Sequence, residues 1–390
     1  MLLLNEAGGG GGATALLPLD TGRSVAVLGP QGVTRKGLLS DYYGDEVCYT
    51  SSTCHGHECY DCIPTIAESI GRANVGGATV SAKAVDVNST DESGIAAALA
   101  MARTADVVVL ALGIDKTIER EGTDRVDTAL PGVQETFALR VLALNKPTVL
   151  VLVNGGALAI DALLAKRAAP YAIIEAFNPN VIGGKALAHA LYGHANSWGK
   201  LPMTMYPHAF LKEKSLTDYN MSSGVGRTYR YYTQSPLFPF GHGLSYTNFT
   251  AHCALGGSQL RPHGLLLDCT VRNTGDVDGD EVVQLYHAAG PAIRKALTHP
   301  APSRALVDFA RVHLCAGCEV RVPFSVSDTM LKLVDNAGQR VLYQGEHLLE
   351  VTGEGAGAPR RQTLRVVVGA TEAFDGNESE AAAESEAAAA

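Results

Sequence analysis

Seven consecutive residues, Glu119-Arg120-Glu121-Gly122-Thr123-Asp124-Arg125, carry three carboxylates and two guanidinium groups. Carboxyl groups at such spacing can exchange protons with a bound molecule, or they can be tied to nearby arginines as struts of a solvated loop. The stretch follows the apolar run Val107-Val108-Val109-Leu110-Ala111-Leu112 and Gly113, and it leads into Leu130-Pro131-Gly132. A buried strand therefore empties into a knot of charge, and the carboxyl end of a strand is where an open α/β sheet places a site. An Asp-Arg pair on a charged loop most often braces it, so Asp124 and Arg125 are read as braces. Glu119 and Glu121 are left as the residues that could do chemistry.

The flanking elements read as a scaffold for that loop. Ser24 to Leu28 is an apolar strand stopped by Gly29-Pro30, and Ile63 to Val75 has helical spacing of apolar residues. Ala78 to Val85 alternates like a strand, and Asp91 to Arg103 opens with the acidic residues that suit a helix amino end. After the charged loop come a helix from Gln134 to Leu144, a strand from Pro147 to Val153 and a short helix from Ala162 to Arg167. A strand from Ala172 to Phe177 and a helix from Lys185 to Tyr192, entered through Gly183-Gly184, close the series. Strands that are apolar throughout and alternate with helices predict an α/β domain, a mostly parallel sheet covered on both faces, over 21–207. The five-glycine run Gly8 to Gly12 makes 1–20 read as a flexible start.

Beyond Leu201-Pro202 the composition changes. An aromatic, Gly/Pro-punctuated connector spans 208–248 and contains Pro239-Phe240-Gly241-His242-Gly243-Leu244-Ser245-Tyr246. In that setting His242 and Ser245 read as packing residues between domains rather than as parts of a serine hydrolase. From 249 to 369, short alternating segments recur with turn signals: Leu265 to Val271, Glu281 to Tyr286, Glu319 to Val326, Arg340 to Tyr343 and His347 to Val351. That pattern predicts an all-β immunoglobulin-like sandwich. The Ala/Glu-rich stretch 370–390 reads as a disordered tail.

Composition sets limits on partners. The chain has 390 residues and a net charge of −9, which argues against nucleic acid or an anionic membrane. No apolar run reaches the length of a membrane span, and Met1-Leu2-Leu3-Leu4 is too short for a secretory signal core. Eight cysteines fall in two groups, Cys48, Cys54, Cys59 and Cys62, then Cys253, Cys269, Cys315 and Cys318. His55 and His57 raise a zinc site in the first group, but only Cys59 and Cys62 have the Cys-x-x-Cys spacing, so disulfides or plain thiols are favoured over metal. Gly29-Pro30-Gln31-Gly32 lacks both the Gly-x-Gly-x-x-Gly and the Gly-Lys-Ser/Thr patterns, and no cofactor is expected. Asn88, Asn220, Asn248 and Asn377 begin acceptor triplets for N-glycans, a weak pointer to secretion.

Several motifs together resemble one family. Ala105 through Asp115, Glu119 through Gln134, Gly155-Gly156, Tyr192-Gly193, Gly199-Lys200-Leu201-Pro202 and Pro239 through Tyr246 follow in order. With Asn273-Thr274-Gly275 and Asp278 through Tyr286, they resemble the carboxy-terminal half of glycoside hydrolase family 3. The likeness is to the β-xylosidase and α-arabinofuranosidase branch and includes its fibronectin type III-like domain. The resemblance implies a retaining two-carboxylate glycosidase acting on xylo- or arabino-oligosaccharides, with an extracellular or secretory location. It places the acid/base glutamate on the loop after a strand, at Glu119 or Glu121. Ile118 before Glu119 favours Glu119, while Glu121 resembles the glutamate before the Gly-x-Asp-Arg of bacterial β-glucosidases. Asn154-Gly155-Gly156 on the same edge could flank a sugar or be only a turn.

One part of the family pattern has no counterpart here. The resemblance implies a nucleophilic aspartate on an amino-terminal (β/α)₈ barrel, and no stretch of this chain resembles that barrel. The chain alone is therefore expected to be nearly inactive. It reads first as a fragment of a longer gene product, then as the complement of a separate barrel chain. A non-catalytic carbohydrate-binding or scaffold module with the same fold is the alternative.

Overall fold

The computed structural model describes residues 1–7, 15–42, 48, 59–166, 170–257, 260, 264–352 and 361–369. Six strands form the first sheet: β1 (Leu2–Glu6), β2 (Ser24–Leu28), β3 (Ala78–Ala82), β4 (Val107–Gly113), β5 (Thr148–Val153) and β6 (Tyr171–Glu175). Their order is β1-β6-β5-β4-β2-β3, parallel except for β1, which runs antiparallel to β6 at one edge. Every residue of β4, β5 and β6 is buried, as a sheet covered by helices on both faces requires. One apolar layer gathers Leu28, Leu110, Leu112, Leu150, Leu152 and Ile173 with Phe137 and Val141. The other gathers Val27, Val109, Val151 and Ile174 with Ile66, Ile70, Leu187 and Leu191. Alternate side chains of the same strands feed the two layers, because successive Cβ atoms point to opposite faces.

The helices are close to those expected, with shifted ends. Ile66–Ala73 starts at Thr65, whose hydroxyl accepts from Glu68 N–H while the Glu68 carboxylate accepts from Thr65 N–H, a reciprocal cap. Asn180–Leu191 begins before the Gly183-Gly184 pair instead of after it. The reading of 1–20 as a flexible start needs correction. Leu2–Glu6 is a paired edge strand, and Leu17 and Leu19 are buried. Leu-rich flanks bury apolar area on the open side of β6, which outweighs the glycine content between them. The glycine run itself and the 370–390 tail lie outside the described residues, as do His55 and His57.

The second unit is a sandwich of a four-stranded and a three-stranded antiparallel sheet. Its strands are β7 (Phe249–Leu255), β8 (Leu265–Asn273), β9 (Gly279–Ala289), β10 (Ala305–Leu314), β11 (Glu319–Val326), β12 (Leu333–Val334), β13 (Arg340–Val341), β14 (Gly345–Thr352) and β15 (Arg361–Val368). The sheets are β10-β9-β14-β15 and β11-β8-β7, with β12 and β13 as a separate ribbon. Inward residues Leu267, Val271, Val283, Leu285, Phe324, Leu349 and Val366 fill the space between them. Disulfides join Cys253 to Cys269 across the β7–β8 pair, Cys315 to Cys318 at the turn before β11, and Cys48 to Cys62 in the first unit. Among the described residues no cluster of side chains could hold a metal ion, and none of the described helices is long and apolar enough to cross a membrane.

Asn196 stitches the two units together. Its Oδ1 accepts from Ser245 Oγ and Tyr246 N–H, its Nδ2 donates to Asp278 O at 3.0 Å, and its main-chain oxygen accepts from Asp280 N–H. Close by, Lys200 reaches the buried Glu281 at 3.2 Å, and His242 meets Leu3 O at 2.7 Å. Asn196→Ala leaves Tyr246 N–H and Asp278 O without these partners and costs about 3 kcal/mol. In calorimetry the two units of that variant are expected to melt as separate transitions, at temperatures that wild-type protein does not show.

Inside the sandwich, His287 and His347 form a buried pair. His287 Nε2 lies 2.9 Å from His347 Nδ1, and His347 Nε2 lies 2.8 Å from Tyr343 O, an arrangement that two neutral rings with their protons on Nε2 satisfy. Burial pushes His287 down to about 3 and lowers His347. The unfolded chain takes up these protons near pH 6.5 and the folded one does not. The part of the stability due to His287 is therefore full above pH 6.5 and falls as pH drops toward about 3, by about 1.4 kcal/mol per pH unit. Urea midpoints taken down this range should flatten in His287→Gln, which keeps a neutral donor at that place.

Candidate active site

The sheet order reverses between β2 and β4, and the carboxyl ends of these two strands open a crevice between the loops that follow them. The loop after β4 lies there, and its Glu121 N–H donates to Asp41 Oδ2 of the segment after β2 at 2.9 Å. The loop is built in steps. Asp115 Oδ1 accepts from Thr117 N–H and Thr117 Oγ1, which turns the chain out of β4. Arg120 and Thr123 then exchange main-chain hydrogen bonds of 3.1 and 3.0 Å around Glu121 and Gly122. Gly122 takes a φ of +71° at the third position of this turn, where residues with a Cβ are disfavoured.

The two glutamates have different surroundings. Glu119 is ion-paired to Arg125, whose Nη2 also donates to Ala157 O at 2.9 Å. Both side chains press on the turn after β5. A Cβ on Gly156 would lie 2.6 Å from Arg125 Nη2 and 2.9 Å from Glu119 Oε1, so a side chain there would push the ends of this pair aside. Glu121 stands at the tip of its turn, exposed, and its carboxylate accepts from the Tyr42 hydroxyl, a bond that holds that phenol above its ordinary value. Asp124 is exposed and makes no ion pair among the described residues. The structure thus joins Glu119, Arg125 and Gly156 in one contact, sets Glu121 apart above them, and leaves Asp124 outside.

Three further residues shape this edge. Gln134 copies a strand: its Oε1 accepts from Gly113 N–H, while its Nε2 donates to Gly113 O and Val87 O. Asn154, buried at the end of β5, donates from Nδ2 to Gly156 O at 3.0 Å. Glu175, buried at the end of β6, accepts from Phe177 N–H at 3.0 Å, and burial pushes its carboxyl up to about 7. Glu175 was visible in the sequence as a lone charge inside an apolar run, a signal that the strand reading passed over. Gln134 had no such signal.

Comparison with known proteins identifies the two domains. Residues 1–246 match the glycosyl hydrolase family 3 C-terminal domain, and residues 281–354 match the fibronectin type III-like domain. The chain is 33% identical over 365 residues to β-D-xylosidase 1 of Arabidopsis thaliana, covering 84% of this chain and 44% of that protein. It is 35% identical over 352 residues to exo-1,4-β-xylosidase bxlB of Emericella nidulans, covering 86% and 43%. It therefore spans less than half the length of either. Among solved structures, a family 3 exo-β-xylosidase (XlnD) bound to a xylobiose aziridine probe superposes with a TM-score of 0.78 at 26% identity, covering 94% of this chain and 46% of that one. A β-glucosidase of Erythrobacter marinus superposes at 0.71 with 28% identity, covering 94% and 49%. Carrying both domains in this order, the chain belongs to the glycosyl hydrolase family 3 C-terminal domain family.

Proposed function

We propose that this chain supplies the acid/base half of a retaining β-xylosidase-type active site acting on xylo- or arabino-oligosaccharides. The nucleophilic carboxylate comes from a barrel that these 390 residues do not contain. The observation that carries the reading is the unequal load on the two glutamates. Glu119 is committed to Arg125, whereas Glu121 is presented at the tip of a turn with only the Tyr42 hydroxyl on its carboxylate. The sequence ranked Glu119 first; the geometry favours Glu121 as the proton donor, with Glu119 and Arg125 bracing the loop.

In this scheme the barrel carboxylate attacks the anomeric carbon as the Glu121 carboxyl passes its proton to the leaving oxygen. The Glu121 carboxylate then takes a proton from the water that releases the sugar. The two carboxyls must come within about 5 Å of one another. Three disulfides among the described residues support an oxidising, secretory setting.

Joined to a family barrel, the chain should hydrolyse xylobiose and nitrophenyl xyloside, and by itself it should do almost nothing. Glu121→Gln is expected to slow xylobiose hydrolysis by about 10²–10⁴-fold and nitrophenyl xyloside much less, because nitrophenolate leaves without a proton. Glu119→Gln should cost the same factor on both. A leaving-group-dependent loss in Glu119→Gln and none in Glu121→Gln would reverse the assignment. No turnover by the joined protein would favour the non-catalytic carbohydrate-binding module.

The glycine under the ion pair gives a separate expectation. Gly156→Ala drives a methyl group into Arg125 and Glu119 without touching Glu121. Both substrates should slow by about tenfold, with fold stability lowered by about 1–2 kcal/mol in denaturant titrations.

A further inference from the structure

The loop that carries Glu119 and Glu121 leaves the sheet at Gly113 and ends at Gln134, and these two residues are tied together. Pairing of β2 with β4 stops at Leu28 and Leu110, whereas β5 stays paired with β4 as far as Gly113. The last residues of β4 thus have a strand on one side only, at the place where the crevice opens. Gln134, the first residue of the helix Gln134–Leu142, fills that gap with its side chain. Its Oε1 accepts from Gly113 N–H at 2.9 Å, and its Nε2 donates to Gly113 O and to Val87 O, both at 2.8 Å. The side chain is 0% exposed, and its oxygen and both amide hydrogens are engaged.

This amide can face only one way. Turned over, it would set N–H against N–H and oxygen against two carbonyls. The next residue is held as well: Ile114 N–H donates to Val153 O at 2.9 Å, and Ile114 O accepts from Gln31 Nε2 at 3.1 Å. Gln31 follows β2 and is likewise 0% exposed, but its Oε1 has no partner. From this neck the chain enters the turn at Asp115, whose main-chain oxygen accepts from Ile118 N–H and Glu119 N–H at 3.0 and 3.2 Å. Glu119 is linked to the neck through that turn, and Glu121 through the Arg120–Thr123 turn that follows.

We propose that Gln134, with Gln31 beside it, is a positioning residue for the carboxyl that protonates the leaving group. The two amides fix the direction in which the chain leaves β4, and so the distance at which the loop meets the scissile oxygen. A shift of about 1 Å in such a placement costs about 10²-fold in rate. The inference rests on the proposed function for the chemistry, but not for the choice between Glu119 and Glu121, since the neck carries both.

Amide hydrogen exchange and amide NMR of the full chain test the neck without turnover. Gln134→Met keeps the length and bulk of the side chain and removes its hydrogen bonds. Gly113 N–H should then exchange at least about tenfold faster, and the signal of Glu121 N–H, which donates to Asp41, should move. Joined to a family barrel, the same variant should lose about 10²-fold in kcat on xylobiose with KM nearly unchanged. Nitrophenyl xyloside should lose much less, because its leaving group needs no proton. Gln31→Met gives up one hydrogen bond together with one orphaned acceptor, so it should fold as well as the native chain and show the same pattern at about tenfold. If Gln134→Met does not fold, Gln31→Met decides alone. Equal losses on both substrates, or a Glu121 signal that stays in place, would mean that the amides only hold the fold, and would overturn the proposal. A native joined protein without turnover would sink the proposed function instead, and the Glu121 signal would then decide this one.

Discussion

Strands buried on both faces have only their ends to offer solvent. The six-residue run of β5 and the seven-residue run of β4 are wholly enclosed by the two apolar layers, and every polar group of this sheet is pushed to an edge. Burial of that apolar surface is the dominant favourable term, and it leaves the loops free to carry charge. The carboxyl edge, where β4 and β2 part, is consequently the place where charge can accumulate without desolvation. The knot from Glu119 to Arg125 is there for that reason, whatever chemistry it performs.

Once charge collects at such an edge, its detailed division matters more than its amount. One guanidinium serves Glu119 and the Ala157 oxygen, a two-residue turn carries Glu121 outward, and a glycine at 156 lets the ion pair lie on the β5 loop. Behind that surface stands a second tier of buried polar groups, Gln134, Asn154 and Glu175, each answering main-chain groups left open where strands end. The outer tier is the more exposed of the two, and the inner tier lies behind it.

The sandwich is tied to this scaffold by an aromatic cluster of Tyr229, Phe240 and Tyr286 and by polar contacts. Asn196, Lys200 and His242 join main-chain groups of the connector, of β1 and of β9, and each is at least half withdrawn from water. Contacts of this kind lose much of their worth if one partner is removed, because the other is left buried and unsatisfied. The connector motif that suggested a serine hydrolase to the eye is spent on this joint: His242 on Leu3 O and Ser245 on Asn196.

Much of the fold could be read from local pattern. Apolar runs at 107–112, 147–153 and 172–177 fixed the parallel sheet, since only strands covered on both faces are apolar at every position. Alternation at 265–271 and 281–286 fixed the sandwich in the same way. Strands β1, β10 and β15 went unread because their burial is uneven, and β1 also because its partner β6 is distant in sequence. Sequence also located the charged loop, since its composition and place after β4 are local facts. Resemblance ranked Glu119 above Glu121, but the sequence could not show that Arg125 folds back onto the first or that Tyr42, some eighty residues earlier, comes near the second. Nor could it show that Glu175 lies beside Asn154. Charge and apolarity are properties of residues, and sequence determined those. Which acceptor lacks a donor is a property of neighbours, and only the tertiary structure decided it.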